Sequence, residues 1–314
     1  MNLRDLEYLV ALDKLRHFGR AAASCFVSQP TLSGQIKKLE EELGISLLER
    51  GGSRAVVFTE AGREILARAK IILGEAKRIE EIAASRRDPF AGAFSLAAIP
   101  TVGPYVLPLV LRALRDALPK LRFVLHEMQT ERIVEALHAG QIDAGLLALP
   151  LEREGLTELD LFEESFSLAL STAHPKAGRS VVSEALLKNE NVLLLEEGHC
   201  FRHQALSVCN TFGASESREF RGTSLETLRY MVGLGEGVTL VPELAERWWR
   251  NTEDAPSISF VPFGPPQPVR QVGLLYRRGS ARKDCLTRVG EIIAQTVTPH
   301  LSKRAGARTV ISVE

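Results

Sequence analysis

Residues 21–40 read Ala-Ala-Ala-Ser-Cys-Phe-Val-Ser-Gln-Pro-Thr-Leu-Ser-Gly-Gln-Ile-Lys-Lys-Leu-Glu, and this stretch decides the fold of the first part of the chain. Its alanine-rich start predicts a short helix whose small side chains let another helix pack closely. Ser28 can cap a second helix with its hydroxyl, and Pro30 suits the first turn because its missing N–H would be unpaired anyway. Apolar residues then recur at helical spacing: Leu32, Ile36, Leu39 and Leu43. Two short helices with a tight joint, the second polar on one side, predict a helix-turn-helix.

The flanking sequence completes a winged unit and adds a long helix. We predict a first helix over 3–13, a hairpin with a glycine turn over 47–58, and a helix from Thr59 to about Ser85. The long helix carries a heptad-like apolar seam, whose simplest partner is a second copy of itself. The seam residues are Ile65, Ala69, Ile72, Ala76, Ile79 and Ala83.

From Phe90 onward, short apolar runs alternate with helical stretches, which predicts an α/β architecture with largely parallel sheets. The segment is long for one such sheet, so we predict two subdomains with a cleft between them. The predicted parts are a winged helix-turn-helix at 1–58, a linker helix and hinge at 59–89, an effector domain at 90–302 and a loose polar tail at 303–314. Within the effector domain, subdomain I covers about 90–162 and 269–302, and subdomain II covers about 163–268.

Composition limits the class of protein. The 314 residues have a formal net charge of zero, with 15 Lys and Arg against 12 Asp and Glu in residues 1–87, so DNA binding requires cations clustered by the fold. No run approaches the ~20 apolar residues that span a bilayer, and the charged start is unlike a signal peptide, so we expect a cytoplasmic protein without a membrane partner. The cysteines are then expected to rest reduced. Cys25 and Cys285 lie in predicted helices and are interpreted as packing residues.

The stretch from Ala21 to Glu40 resembles the helix-turn-helix of LysR-type regulators, and the order of elements fits over the whole chain. The second half resembles the peroxide-sensing branch of that family. The segments that carry this second similarity are Ile99 to Tyr105, Leu195 to Cys200, Cys209, and Thr223 to Arg229. The resemblance implies an effector fold like that of periplasmic binding proteins and a homotetramer on dyad-symmetric double-stranded DNA. It further implies hydrogen peroxide, RNA polymerase and a cellular disulfide reductant as partners.

Cys200 follows a predicted strand and opens a predicted helix, where the helix dipole favours a thiolate. A thiolate that attacks peroxide gives a sulfenic acid, which a second thiol condenses to a disulfide. Cys209 is the available second thiol, and the resemblance implies that oxidation of this pair switches antioxidant genes. Nine residues of intact helix rise about 13.5 Å, against the ~4.4 to 6.8 Å between Cα atoms that a disulfide tolerates. Closure therefore requires the segment to unwind. His199 could assist by donating a hydrogen bond to the leaving oxygen.

Three further residues are candidates for the same site. Thr101 and Thr130 each follow a predicted strand and precede a helix; the residues alone allow helix capping, whereas the resemblance implies that they hold peroxide near Cys200. Arg277 follows a predicted strand and could stabilise a developing oxygen anion, or it could be an exposed surface cation.

On the DNA side, amides and hydroxyls of the second helix suit base edges in the major groove. These residues are Gln29, Thr31, Ser33 and Gln35. Cations suited to phosphates are Lys37, Arg50 and Arg54. A solvated helix face is the alternative interpretation of these side chains.

Other functions remain open at this point. His199, Cys200, His203 and Cys209 could bind a metal, although their spacing fits no standard zinc pattern. A regulator could instead sense a small organic ligand with inert cysteines. A thiol peroxidase or disulfide oxidoreductase is the enzyme alternative, which the DNA-binding unit and the lack of a Cys-x-x-Cys motif disfavour. We predict no cofactor and no resident metal.

Overall fold

A computed structural model describes residues 1–49, 56–85, 88–182, 187, 190–196, 200–211, 215–251, 257–302 and 308–311. The chain divides into two compact units. Unit 1 comprises Met1–Arg87 with His138–Gln141, and unit 2 comprises Asp88–Leu137 with Ile142–Glu314. No helix in the described part of the chain is long and apolar enough to cross a membrane.

Unit 1 is built from four helices around its own apolar core. They are α1 (Leu3–Leu15), α2 (Phe18–Ser24), α3 (Gln29–Leu43) and α4 (Glu60–Ser85). Ser28 caps α3 as predicted, because its hydroxyl accepts a hydrogen bond from the Thr31 N–H at 3.3 Å. Gly44 ends the helix in the left-handed conformation at φ 70°. Leu32, Ile36 and Leu39 are buried in the core, which confirms the predicted apolar face of α3.

The base of the predicted hairpin is present, with an antiparallel bridge between Leu48 and Phe58. The Glu40 carboxylate on α3 accepts hydrogen bonds from the N–H groups of Leu47 and Leu48, at 2.7 and 3.1 Å. These bonds fix the hairpin to the second helix of the motif. Arg50 and Arg54, which we assigned to phosphates, lie outside the described residues.

The predicted seam of α4 is only partly available to a second chain. Ala69 is buried in the core of unit 1, together with Leu66, because the first half of α4 packs against α1. Ile72 and Ile79 are exposed, with 69% of Ile79 accessible. The prediction that the whole seam pairs with a second chain is therefore corrected. The N-terminal part of the seam packs into the core of unit 1, and Ile72 and Ile79 further along the helix are exposed to solvent.

Unit 2 contains ten strands. They are β1 (Gly92–Ala98), β2 (Leu121–Glu127), β3 (Ala144–Leu149), β4 (Leu156–Ser171), β5 (Asn191–Leu195), β6 (Ser215–Gly222), β7 (Thr239–Pro242), β8 (Ile258–Pro262), β9 (Gln267–Arg277) and β10 (Arg308–Val310), counted over the described residues. The helices between them are α5 (Gly103–Ala117), α6 (Thr130–His138), α7 (Cys200–Thr211), α8 (Leu225–Leu234), α9 (Glu243–Trp249) and α10 (Lys283–Val297), followed by a 3-10 turn at Thr298–His300.

The main sheet has the order β2-β1-β3-β9-β4-β7, with β10 beside β9 and β8 beside β4. β1 pairs in parallel with β2 and β3, whereas β9 runs antiparallel to β3 and β4. β5 and β6 form a separate parallel pair. The long strands β4 and β9 are shared: the first part of β4 pairs with β9, and its last part pairs with β7 and β8. Two α/β subdomains are thus joined by continuous strands.

The tail departs from the prediction. Residues 308–310 form β10, which pairs in parallel with the start of β9 at Gln267 to Val269. Ile311 is buried in the core of unit 2, and its N–H donates to the carbonyl of Val269 at 2.9 Å. The prediction of a loose tail is wrong for residues 308–311, because a partner strand distant in sequence provides the order that the polar local composition did not indicate.

Candidate functional site

Thr101 and Thr130 lie at one edge of the main sheet. β1 and β2 run in parallel, with Ala98 opposite Glu127 at their carboxyl ends, and each threonine follows one of these strands. Both threonines are buried. The carboxyl edge of parallel strands is where ligands bind in open α/β sheets, so this edge is a candidate site.

The Thr101 side chain is held by an arginine and does not cap a helix. The N-cap position of α5 is occupied by Val102. The Thr101 hydroxyl accepts a hydrogen bond from Nη1 of Arg270 at 3.0 Å, and its carbonyl accepts one from Nη2 at 2.9 Å. Because the hydroxyl oxygen accepts from Arg270, the hydroxyl proton remains a donor.

Thr130 is the first residue of α6, and its Oγ1 is buried without a hydrogen-bond partner in the described part of the chain. A capping role is therefore not observed for this hydroxyl either. A buried hydroxyl that makes no hydrogen bond destabilises the folded state, so a bound ligand is a natural partner for it.

Arg270 is a residue of this site that the sequence analysis missed. It forms an ion pair with Glu164, its register partner across β4 and β9, and both side chains are 1% exposed. Nε and Nη2 of Arg270 donate to Oε2 of Glu164 at 2.8 and 2.7 Å. Oε1 of Glu164 accepts from the N–H of Leu244 at 2.7 Å, at the start of α9. A charged residue within a largely apolar strand was the indication available in the sequence.

The start of α7 is linked to Arg270 through the aromatic ring of Phe166. Phe201 is fully buried, and its ring centroid is 5.9 Å from that of Phe166 on β4. The guanidinium carbon of Arg270 is also 5.9 Å from the centroid of the Phe166 ring. One aromatic ring therefore separates the first turn of α7 from the Arg270–Thr101 contact.

The structure places Cys200 at the first position of α7 and Cys209 within the same helix, as predicted. The side chains of both cysteines, and His199 altogether, lie outside the described residues. The remaining two cysteines match their predicted packing role. Cys25 is half-buried, and Cys285 is buried, with burial raising the pKa of its thiol to about 11.

Arg277 is not at this site, and its predicted role is corrected. Its Nη1 donates to the carbonyls of Leu137 and Ile142, at 2.8 and 3.0 Å. β9 is antiparallel to β3, so its C-terminal end lies at the amino edge of β3, opposite the edge that carries Thr101. Seven residues of strand separate Arg277 from Arg270, about 23 Å. The arginine is buried, so the surface-cation alternative is wrong as well.

A second polar cluster joins α5 to the other subdomain. Oε1 of Glu226 accepts from the Tyr105 hydroxyl at 3.2 Å and from the indole N–H of Trp249 at 2.8 Å. Its Oε2 accepts from Nε of Arg229 at 2.8 Å. Burial, with the Glu226 carboxylate beside it, raises the pKa of Tyr105 above its ordinary range. Trp249 is thus a buried side chain that links α9 to Glu226 on α8.

The predicted DNA-reading residues lie outside the buried apolar face of α3, with Gln29, Ser33 and Lys37 along one side of the helix and Thr31 and Gln35 along another. Gln29, Thr31, Ser33 and Lys37 are exposed, and Gln35 is half-buried. The turn before the helix exposes Phe26, which is 94% accessible and has a φ of 57°. The Thr31 hydroxyl is 2.8 Å from that of Ser28, so it also takes part in the cap.

The Arg270–Glu164 pair can be tested by a double-mutant cycle. Arg270→Met leaves a buried carboxylate without its cation, and we expect the free energy of unfolding to fall by about 3 to 5 kcal/mol. Glu164→Leu should lower the free energy of unfolding by a similar amount. The double variant should lose clearly less free energy of unfolding than the sum of the two single losses, as measured by urea denaturation. Additive losses would contradict a direct pairing.

Residues 3–63 match the family description "Bacterial regulatory helix-turn-helix protein, lysR family", and residues 87–297 match "LysR substrate binding domain". The chain is 46% identical over 303 residues to the "DNA-binding transcriptional dual regulator OxyR" of Escherichia coli K12, covering 96% of this chain and 98% of the relative. It is 44% identical over 297 residues to the "Hydrogen peroxide-inducible genes activator" of Haemophilus influenzae, covering 95% and 97%.

Two solved structures are similar over nearly the full length. A full-length OxyR variant from Pseudomonas aeruginosa matches with a TM-score of 0.74 and 33% identity, covering 97% of this chain and 99% of that chain. The oxidised form of Corynebacterium glutamicum OxyR matches with a TM-score of 0.59 and 30% identity, covering 98% and 97%. The chain therefore belongs to the LysR family of bacterial DNA-binding transcription regulators, within its OxyR group.

Proposed function

We propose that this regulator senses hydrogen peroxide by oxidation of Cys200 and responds through a Cys200–Cys209 disulfide that changes transcription of antioxidant genes. The observation that carries the proposal is the buried Arg270–Thr101 contact, which the Phe166 ring connects to the first turn of α7. The names of the similar regulators, which refer to hydrogen peroxide, support the choice of signal.

The first step needs a thiolate and a held peroxide. Cys200 is the first residue of α7, where the positive end of the helix dipole favours the thiolate. The thiolate attacks one peroxide oxygen, the O–O bond breaks, and the departing oxygen takes up a proton to leave as water, which gives a Cys200 sulfenic acid. The hydroxyls of Thr101 and Thr130 are available to donate to the peroxide. His199 remains a predicted donor to the leaving oxygen.

The second step couples chemistry to conformation. The Cys209 thiol attacks the sulfenic sulfur, the S–O bond breaks and a second water is released, so two thiols have supplied the two electrons. In the helical form of α7 the two positions are nine residues apart, about 13.5 Å of rise, beyond the reach of a disulfide. Closure must therefore unwind the helix that packs Phe201 and Val208 into the core. A disulfide reductant would reset this switch by returning both cysteines to thiols.

Peptide mapping after one equivalent of peroxide tests this proposal. We expect a linked Cys200–Cys209 peptide in the wild type and no response in Cys200→Ser. Cys209→Ser should stop at a Cys200 sulfenic acid, trapped by dimedone. Cys25→Ser and Cys285→Ser are the matched controls and should react like the wild type. Transcription that responds without a linked peptide would instead favour a ligand or a metal, and the metal content of the purified protein would separate those two.

The DNA-binding part of the proposal assigns Gln29, Thr31, Ser33 and Gln35 to base edges and Lys37, Arg50 and Arg54 to phosphates. It rests on the accessibility of the polar side chains of α3 and on the family of the N-terminal domain. RNA polymerase is the expected downstream partner in the cytoplasm.

Two variants on α3 distinguish the two kinds of DNA contact. Ser33→Ala should lower the preference for the specific site, because it removes a group assigned to a base edge, while leaving affinity for unrelated DNA unchanged. Lys37→Ala should weaken both sequences similarly and lower the salt dependence by about one counterion. Fluorescence anisotropy at several salt concentrations measures both effects. A uniform loss from Ser33→Ala would refute its assignment.

We also propose that the exposed C-terminal half of the α4 seam pairs two chains within a tetramer. Changing Ile72 and Ile79 to Asp places charge in that contact and should remove the larger species in sedimentation velocity at micromolar concentration. The far-ultraviolet circular dichroism should stay unchanged, because both side chains are exposed in the single chain. An intact oligomer in the double variant would exclude α4 as the contact.

A further inference from the structure

Phe26 is the most exposed large apolar side chain in the described part of the chain, with 94% of it accessible to water. It lies in the turn between α2 and α3, two residues before the Ser28 that caps α3. Its neighbours Cys25 and Val27 pack against the core of unit 1, so the turn is fixed on both sides of Phe26. The exposure of the ring is therefore a property of an ordered turn.

The backbone at Phe26 has the left-handed conformation that glycine most often supplies at the end of a helix. Its φ is 57°. The N–H of Phe26 donates to the carbonyl of Ala23 at 3.2 Å, and the N–H of Val27 donates to the carbonyl of Ala22 at 3.0 Å. These two bonds are those of the Schellman motif, and Phe26 occupies its left-handed position. Glycine is favoured there because a Cβ atom crowds the following carbonyl oxygen.

Stability of the fold does not explain a phenylalanine at this position. In the same unit, α3 ends at Gly44, with a φ of 70°. Arg16 at the end of α1 is left-handed without being glycine, but its guanidinium forms an ion pair with Asp13 at 2.6 Å and lies 5.3 Å from the centroid of the Phe58 ring. The exposed ring of Phe26 combines a strained backbone with apolar surface left in water, and strain of this kind is typical of functional sites.

The place of Phe26 in the helix-turn-helix indicates which ligand covers it. In such a motif the first residues of the second helix contact base edges in the major groove of DNA, and this domain belongs to a DNA-binding family. Phe26 and Gln29, the first residue of α3, are separated by at most about 11 Å of chain, and the major groove is about 12 Å wide. Thymine carries a C5-methyl group in that groove, and phenylalanine is among the apolar side chains that contact it.

We propose that Phe26 reads a thymine methyl group in the major groove, an inference that rests on the proposed role of α3 in base readout. The Schellman turn holds the backbone of Phe26 in place before DNA binds, so little backbone freedom is lost on binding. Contact between the ring and the methyl group removes apolar surface of both partners from water. Phe26 thereby adds an apolar contact to the hydrogen bonds assigned to Gln29 and Ser33.

The test combines Phe26 variants with uracil in the DNA and uses the full-length reduced protein. The probe is a duplex that the wild type selects from random-sequence DNA, and each thymine is replaced in turn by uracil, which lacks only the methyl group. At one thymine position in each half-site we expect wild-type affinity to fall about fourfold, the contribution of one methyl group. Phe26→Asn should bind the thymine duplex about tenfold more weakly and should not distinguish thymine from uracil there. Fluorescence anisotropy at constant salt measures both effects.

Two further variants separate DNA contact from folding. Phe26→Gly removes the ring and relieves the left-handed backbone, so its Tm should be equal to that of the wild type or higher, while its DNA binding shows the same losses as Phe26→Asn. This variant decides the question if Phe26→Asn does not fold. Ile45→Asn replaces an apolar side chain, 41% exposed, just after the other end of α3, and it should keep wild-type affinity and the wild-type response to uracil.

Three outcomes overturn the inference. Wild-type affinity that no uracil substitution changes, or Phe26 variants that keep the wild-type response to uracil, would show that the ring does not read a thymine methyl group. A similar loss on specific and unrelated DNA would assign Phe26 to the sugar-phosphate backbone. Loss of the larger species of Phe26→Asn in sedimentation velocity would show that a second copy of the chain covers the ring. Failure of the proposed role of α3 is seen separately, because Ser33→Ala would then keep the wild-type preference for the selected duplex.

Discussion

The buried ion pair between Arg270 and Glu164 is the interaction on which the regulatory unit depends. Two charges cannot be removed from water unless their remaining hydrogen-bonding atoms are also satisfied. Here, the guanidinium donates to Thr101 at the edge of β1, and the carboxylate accepts from the N–H of Leu244 in the first turn of α9. The pair thus links β4, β9, the loop before α5 and the start of α9, and so holds the two subdomains in register.

The same pair also orients a polar group at the candidate site. Because Glu164 neutralises and fixes the guanidinium, Arg270 donates to the Thr101 hydroxyl oxygen from one position, which leaves the hydroxyl proton of Thr101 available to donate. The peroxide chemistry that we propose would therefore use Arg270, a residue that also links β9 to β4 through its ion pair with Glu164.

In helix α7, packing into the core favours a regular helix, whereas a bond between its two cysteines would require the helix to unwind. Its apolar face, with Phe201, Ala205 and Val208, packs it into the core as a regular helix. Its two cysteines are at a spacing that a regular helix cannot bring together. The disulfide that we propose could form only if this helix unwinds, and the segment would then have the two discrete arrangements that a two-state switch requires.

The local sequence alone determined the helix-turn-helix, the α/β alternation of the second part, and the start of α7 at Cys200, because capping residues and apolar periodicity act over a few positions. It could not assign Arg277 or find Arg270, since both are arginines of the same strand and differ only in which sheet edge they reach. Nor could it find β10, whose partner lies about 40 residues earlier in the chain, or the division of the α4 seam between core and surface. These features depend on contacts between segments distant in sequence, and only the tertiary structure, which decides which faces are buried and which edges meet, could settle them.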